Sequence, residues 1–160
     1  MPVRKTGDWD KVTRLIGNLS FEMQKSQEIA LKRFGLKAEA IAKTHMSKQD
    51  LNWVPLKPET IAAKVRKGFS ENILIATSDY FLVITSYVKE DTAYIGVKKE
   101  AKNRDGGILA DIAAVQEFGS MSGVIPARPL WRPTLEEAVK WHFKKNLPIE
   151  IFAQRIAKYY

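Results

Sequence analysis

Residues 84–97 read Ile-Thr-Ser-Tyr-Val-Lys-Glu-Asp-Thr-Ala-Tyr-Ile-Gly-Val, and this stretch decides the fold class. Apolar and polar side chains alternate on both sides of a polar Glu-Asp-Thr segment, a pattern typical of two strands joined by a turn. The alternation therefore predicts an antiparallel hairpin made of residues 84–90 and 93–98, with one buried face.

Upstream of the hairpin, apolar residues recur at steps of three and four, the period of an amphipathic helix. This pattern predicts a long helix over residues 8–47, with Asp8 capping its start. Gly17 and Gly35 are candidate breaks, so this region can be either one continuous helix or two or three collinear helices. The apolar face is expected to be core, and its members are Trp9, Val12, Ile16, Leu19, Met23, Ala30, Phe34 and Ile41.

Between the long helix and the hairpin, the sequence predicts an extended connector over residues 51–56. A helix then begins at Pro58 and ends by Gly68, because proline suits the first helical turn and glycine suits a helix end. Residues 72–76 form a short apolar run, after which Thr77 or Ser78 can cap a brief helix.

Beyond the hairpin, the pattern predicts a helix over residues 109–118 that stops at Gly119, and an extended segment over 124–129 suited to an edge strand. Helices follow from Pro133 to residue 145 and over 149–159, separated by Pro148. The change of apolar period from 3.6 to 2 and back indicates an α+β fold, with a long N-terminal helix packed on a small, mainly antiparallel sheet with C-terminal helices. We expect one domain over residues 1–160, divided into a helical part (8–47), an α+β core (51–133) and C-terminal helices (133–160).

The composition argues against several classes of protein. Apolar residues make up 45% and charged residues 28% of the chain, as in ordinary globular proteins, and no apolar run is long enough for a membrane span or a signal peptide. Cysteine is absent, which excludes disulfides and zinc–thiolate sites. Only His45 and His142 supply imidazole, and both are expected to be packing or surface residues. Glu117 could pair with Asp111 or Asp105 as acid and base, but such scattered carboxylates are usually solvated, so we expect neither an enzyme nor a cofactor.

The formal charge of +8, from 26 Lys+Arg against 18 Asp+Glu, admits a nucleic-acid partner because basic surfaces release counterions from phosphate. The cations are nevertheless spread along the chain rather than gathered in a stripe. The stretch over residues 98–107 has no apolar period, and we expect it to be an exposed, mobile loop that contacts an assembly partner or faces DNA. Deleting it is expected to leave the monomer folded. Its candidate contact residues are Lys98, Lys99, Lys102, Arg104, Gly106 and Gly107.

Prolines are concentrated around Arg128, where they limit the freedom of the unfolded backbone. We expect Arg128 to clamp Glu117 or unpaired carbonyl groups, with a phosphate-binding arginine as the alternative. The end of the chain is apolar at helical spacing, so it either closes the core or docks on a neighbouring subunit. The residues concerned are Phe152, Ile156, Tyr159 and Tyr160.

Three blocks of residues, taken in order, form a recognisable set. The first has a tryptophan and a proline-leucine pair ahead of a threonine and a lysine: Trp53, Pro55, Leu56, Thr60 and Lys64. The second is the short apolar run that leads through Thr77 into a small helix and a hairpin ending around Gly96. The third joins Glu117, Phe118 and Gly119 to Pro126, Ala127, Arg128 and Pro129.

In order and spacing, these blocks resemble the phage tail completion or virion morphogenesis proteins, a family related to the head–tail joining and neck proteins of long-tailed phages. Ser78 and Gln116 stand where that family commonly has glycine and histidine. The resemblance covers about residues 51–133, and the flanking helices fit the family's plan.

The resemblance implies a structural virion protein, made in the host cytoplasm, that forms or joins a ring around the channel for DNA. The implied partners are further copies in a hexameric or dodecameric ring, connector or head-completion proteins, and tail terminator or tail tube proteins. The resemblance implies no catalytic group, no membrane contact and no specific binding of the DNA that passes. The alternative class is a basic nucleic-acid-binding module acting in DNA packaging or ejection.

Overall fold

A computed structural model describes residues 7–159 and has the α+β architecture predicted from the period change. A two-stranded antiparallel sheet and the C-terminal helices pack on the long first helix. In chain order the elements are α1 (Trp9–Lys48), α2 (Pro58–Arg66), α3 (Asp79–Val83), β1 (Ile84–Lys89), β2 (Thr92–Val97), α4 (Leu109–Phe118), α5 (Trp131–Lys145), α6 (Leu147–Ile156) and a 3-10 turn (Ala157–Tyr159).

The hairpin has the predicted pairing, with Ile84 opposite Val97 and Lys89 opposite Thr92. The chain reverses at Glu90, whose φ of 54° is the left-handed conformation that tight hairpin turns require. Ile84 is buried against α1, whereas Tyr87 and Tyr94 stack on the outer face with ring centroids 4.9 Å apart. The sheet therefore has one buried and one solvated face, as predicted.

Helix α1 is one continuous element of 40 residues, about 60 Å long. The Oδ1 of Asp8 accepts a hydrogen bond from the backbone N–H of Lys11 at 3.1 Å, which confirms the predicted cap. Neither glycine interrupts the helix. A Cβ at Gly35 would lie 3.1 Å from the Cβ of Ser86, so this glycine lets β1 approach the helix backbone closely.

The core lies along the second half of α1. One cluster surrounds Met46 and Ile84, a second joins Ala30 to α6, and a third joins Ile41 to α5. The prediction that the whole apolar face is core was wrong for the first half, because α6 and the 3-10 turn cover α1 only from about Glu22 onward. The exposed residues there are Trp9, Val12, Ile16, Leu19 and Met23.

Two helix starts differ from the prediction, and one predicted strand is not formed. Helix α5 begins at Trp131 rather than Pro133, and α6 begins at Leu147 with Pro148 in its first turn, because proline needs no amide partner there. Ser78 occupies the start of α3 in a left-handed conformation without a side-chain cap bond. Residues 124–129 form no strand and lie as irregular chain instead.

The stretch over residues 98–107 has more structure than its sequence suggested. The Oδ1 of Asn103 accepts the N–H of Gly107 at 2.7 Å and that of Asp105 at 3.1 Å. The amide of Leu109 donates to the carbonyl of Ala101 at 2.8 Å, and Ala101 packs against the core. The expected exposure is confirmed at Lys98, Lys99 and Lys102, but sequence reasoning overlooked an asparagine that organises a turn within this stretch.

Candidate assembly site: the motif brace

Four residues of the sequence blocks connect segments that are remote in the chain, and we call Trp53, Glu117, Gly119 and Arg128 the motif brace. Trp53 is buried with Leu130 in the main core cluster. Its indole Nε1 donates to the carbonyl of Pro129 at 2.8 Å. This bond attaches the connector after α1 to the chain that enters α5.

Arg128 is 6% exposed, and its Nε donates to the carbonyl of Val54 at 2.9 Å. Its Nη2 lies 3.5 Å from the carbonyl of Pro55, and its backbone N–H donates to Gln116 at 2.6 Å. Burial lowers the pKa of the guanidinium from its ordinary value, although arginine stays charged in proteins. Of the two predicted clamps, Arg128 therefore forms the one on backbone carbonyls, and not the one on Glu117.

Glu117 instead caps α5. Its Oε2 accepts the backbone N–H groups of Leu130 at 2.7 Å and Trp131 at 3.0 Å, and its Oε1 accepts that of Arg132 at 3.2 Å. These amides have no partner inside the helix, and a carboxylate is favoured at this positive end of the helix dipole. Both oxygens of the carboxylate are thus engaged with the start of α5.

Gly119 ends α4 with a φ of 81°. A Cβ at this position would lie 3.1 Å from the carbonyl oxygen of Ile125 and 3.2 Å from the nitrogen of Ala127. Both the backbone conformation and the close approach of the following loop therefore require glycine. The Glu-Phe-Gly sequence is explained at its first and third positions by a cap and a tight turn.

The middle residue of that sequence, Phe118, has no such internal role because 81% of it is exposed. The loop that follows α4 adds further exposed apolar side chains and is folded on itself by a bond from the N–H of Ile125 to Ser120 Oγ at 2.9 Å. We call these exposed residues the apolar tip: Phe118, Met121, Val124 and Ile125.

Lys64 supports the irregular segment between α2 and α3. Its Nζ donates to the carbonyls of Asn72 at 2.6 Å and Ile75 at 2.8 Å, and burial lowers its pKa. Gln49 holds the same segment, because its amide group donates to the Ile73 carbonyl at 3.0 Å and accepts the Ile73 N–H at 2.8 Å. The lysine of the first block thus anchors the second block.

A cavity of about 230 Å³ lies where the blocks meet, lined by Leu56, Lys64 and Arg128 among others. Asp79 also lines the cavity and accepts a bond from the hydroxyl of Thr77 at 2.7 Å, which lowers the pKa of the carboxyl. Burial raises the pKa of Tyr80 beside it. Every charged side chain that lines the cavity makes a hydrogen bond to the protein itself.

The remaining predicted site residues are dispersed. Thr60 is exposed on α2, and Gly96 lies in β2 beside a second cavity that Phe118 also lines. Pro126 and Ala127 belong to the irregular chain that the brace holds. Around the 98–107 turn, Arg104 lies 3.5 Å from Asp79, whereas the side chains of Lys98, Lys99 and Lys102 are exposed.

Sequence reasoning missed a buried carboxylate at Glu22, which is 1% exposed. Its Oε1 accepts bonds from Lys158 Nζ at 2.7 Å and from the hydroxyl of Tyr159 at 3.2 Å, and Arg155 Nη2 lies 2.6 Å from its Oε2. The end of the chain therefore closes on α1 up to Tyr159. Tyr160, predicted with it, lies outside the described residues.

Both histidines lie in packed surroundings, as predicted. His45 is buried, with Nδ1 2.7 Å from Asp50 and Nε2 3.4 Å from Glu137. His142 makes edge-to-face contacts with Phe34 and Phe143. Within residues 7–159, neither a group of three potential metal ligands nor a helix long and apolar enough to cross a membrane is present.

The brace joins the first and third sequence blocks, and its polar atoms bind backbone groups. Lys64 connects the first block to the second. The apolar tip beside the brace is directed outward. No family model matches the sequence, and no curated protein or solved structure is significantly similar to it.

Proposed function

We propose that this protein is a structural component of the neck of a long-tailed phage virion, where it forms or joins a hexameric or dodecameric ring between head connector and tail. It acts through surfaces and not through turnover. The observation that carries the proposal is Phe118, which stands within the Glu-Phe-Gly block and is nevertheless 81% exposed.

The brace explains how a small protein can hold such an exposed group in place. Glu117 and Gly119, on either side of Phe118, are fixed by the α5 cap and by the close contact with residues 125–127. Neighbouring exposed apolar side chains in one loop are typical of a protein interaction site. A side chain held by fixed neighbours also loses less entropy on binding than one on a free loop.

The local conformation at Ser78 also supports the resemblance. Its φ is 66°, a left-handed value that glycine adopts without strain. The family that these blocks resemble commonly has glycine at this position. A backbone that favours glycine at the matching residue is what common ancestry would produce.

Ring formation follows from the geometry of heterologous contacts. When one face of a subunit meets a different face of the next and the rotation closes, a ring results. The apolar tip supplies one such face. The exposed cations Lys98, Lys99 and Lys102 supply a second surface of different chemistry, facing a protein partner or the DNA channel.

Complementation tests the proposal in a phage that encodes this chain and carries a nonsense mutation in its gene. Wild-type protein should restore joined heads and tails, whereas Phe118→Ser should reduce them at least tenfold while keeping the melting temperature of the purified protein. Phe143→Ser, which removes an aromatic that is 73% exposed on α5, is the matched control and should complement. Absence of the wild-type protein from purified virions, or normal joining with Phe118→Ser, would show that the proposal is wrong.

A further inference from the structure

The first half of α1 presents a row of exposed apolar side chains that no described element covers. We call Trp9, Val12, Ile16, Leu19 and Met23 the α1 seam, and each is between 39% and 67% exposed. We infer that the α1 seam is the surface through which two copies of this chain associate helix to helix.

The spacing of the seam indicates what covers it. Its residues follow one another at alternating steps of three and four, so the repeat is a strict heptad of 3.5 residues. A single helix on a globular core follows a period nearer 3.6 and a wider apolar face, whereas the strict heptad keeps a narrow row facing one partner helix. The geometry points to coiled-coil pairing and therefore to a helical partner.

The second half of the same helix shows this kind of covering within one chain. The next two positions of the heptad are Ser26 and Ala30, which are 2% and 1% exposed. Ala30 packs with Leu147 and Ile151 of α6, so a helix covers the row there. The α1 seam continues a row that this fold already uses for helix-to-helix contact.

The residues beside the seam favour a second copy of this chain as the partner, rather than a different helix with charged flanking positions. In coiled coils, charges at the flanking positions select the partner. Here the flanking positions within the seam are Thr13, Leu15, Ser20 and Glu22. Glu22 is the charged one among these four, and its carboxylate is paired within the chain with Arg155 and Lys158. Two identical seams can therefore approach without like-charge repulsion, and Leu15 adds apolar area at the edge.

The length of the seam sets the strength of the contact. From Trp9 to Met23 the helix extends about 22 Å, only two heptads, so pairing in solution is weak. Copies held side by side gain a high effective concentration, which makes such a short contact favourable. The inference rests on the proposed function in this respect only, since a ring brings the copies together.

Sedimentation equilibrium of the purified full chain tests the pairing at concentrations up to roughly 100 µM. The average mass should rise above the 18.2 kDa of the monomer. Ile16→Lys should weaken the association at least tenfold without lowering the melting temperature, because the residue is outside the core. Phe21→Lys is the matched control, since Phe21 is 52% exposed on the opposite face of α1, and it should associate as the wild type does.

Because the chain has no cysteine, single-cysteine variants report the contact directly. Oxidation should cross-link Ile16→Cys into a dimer, and Asn18→Cys, on the opposite face, should remain monomeric. The inference would be overturned if the wild type stayed monomeric at every concentration and Ile16→Cys did not cross-link. It would also be overturned if Ile16→Lys associated as strongly as the wild type does. If only the inference about the α1 seam is wrong, Phe118→Ser still reduces head–tail joining. If the proposed function is wrong, Phe118→Ser and Ile16→Lys both assemble phage normally.

Discussion

The indole Nε1 of Trp53 and the carbonyl oxygen of Pro129 lie 2.8 Å apart across 76 positions of sequence. Arg128 reaches back over nearly the same span to the carbonyl of Val54. Two adjacent residues of one segment thus bind two adjacent residues of the other. The connector after α1 and the chain before α5 consequently behave as one unit, and the apolar tip is mounted on that unit.

Removing the Arg128 side chain should destabilise the protein. Arg128→Ala removes a buried guanidinium and leaves the carbonyls of Val54 and Pro55 without this donor, which should lower the free energy of unfolding by about 2 to 3 kcal/mol. Arg128→Lys keeps the charge but not the planar set of donors, so its loss should be smaller. Urea denaturation followed by circular dichroism measures both, and an unchanged midpoint for Arg128→Ala would contradict the brace.

Glu117 should contribute to stability through its charge as well as its shape. Glu117→Gln retains one acceptor oxygen but loses the negative charge at the start of α5, and we expect a loss of about 1 kcal/mol. Glu117→Ala leaves all three amides without the acceptor and should cost about 2 kcal/mol. If both variants were as stable as the wild type, water would be an equally good acceptor for the three amides, which would contradict the cap.

The buried carboxylate of Glu22 makes a pH-dependent contribution. A hydrogen bond from Lys158, followed by one from Arg155, holds its pKa below the ordinary value of 4.5. A depressed pKa in the folded state means that the contribution is present above pH 4.5 and is lost as the pH falls through the folded pKa.

Thermal melts of wild type and Glu22→Gln at several pH values measure this effect. The difference in melting temperature should be largest near neutral pH and should shrink below the ordinary pKa of glutamate. Other carboxyl groups with lowered pKa values, such as Glu28, are shared by both proteins and cancel in the difference. If the difference in melting temperature between wild type and Glu22→Gln stayed constant down to acid pH, Glu22 would contribute by packing alone.

The exposed cations around residues 98–107 should matter for assembly and not for folding. Deleting the whole stretch would remove the core contact of Ala101, so deletion does not separate the two roles. The triple change of Lys98, Lys99 and Lys102 to serine should keep the melting temperature and reduce the yield of joined particles. Serine at the exposed Lys140, Lys144 and Lys145 of α5 removes the same number of charges and is the control, and an equal defect there would show that total charge matters instead.

Much of the fold could be predicted because the controlling patterns are local. The alternation in residues 84–97 and the period of α1 each specify an element without reference to the rest of the chain. Asp8 and Gly119 specify a helix start and a helix end in the same way. Predictions of these features succeed because residues close together in the sequence determine them.

The contacts that the sequence did not reveal join residues that are remote in the chain. Arg128 was expected to bind some acceptor, but its acceptors lie more than 70 positions upstream, where no pattern indicates them. Lys158 is 136 positions from Glu22, and one glutamate on a helix carries no signal of such a contact. The α1 seam has the sequence of a core stripe, and only the position at which α6 ends shows that it is uncovered.

Helix α1 is continuous in geometry but divided in its resistance to opening. Amides after about Glu22 lie in the core, so their hydrogens should exchange only when the whole fold opens, whereas amides nearer Trp9 belong to a stretch with exposed side chains and can open locally. Association along the seam would give the amides near Trp9 the same protection as the amides in the core. Part of the free energy of assembly would then be used to order residues 9–23, which open readily in the isolated subunit.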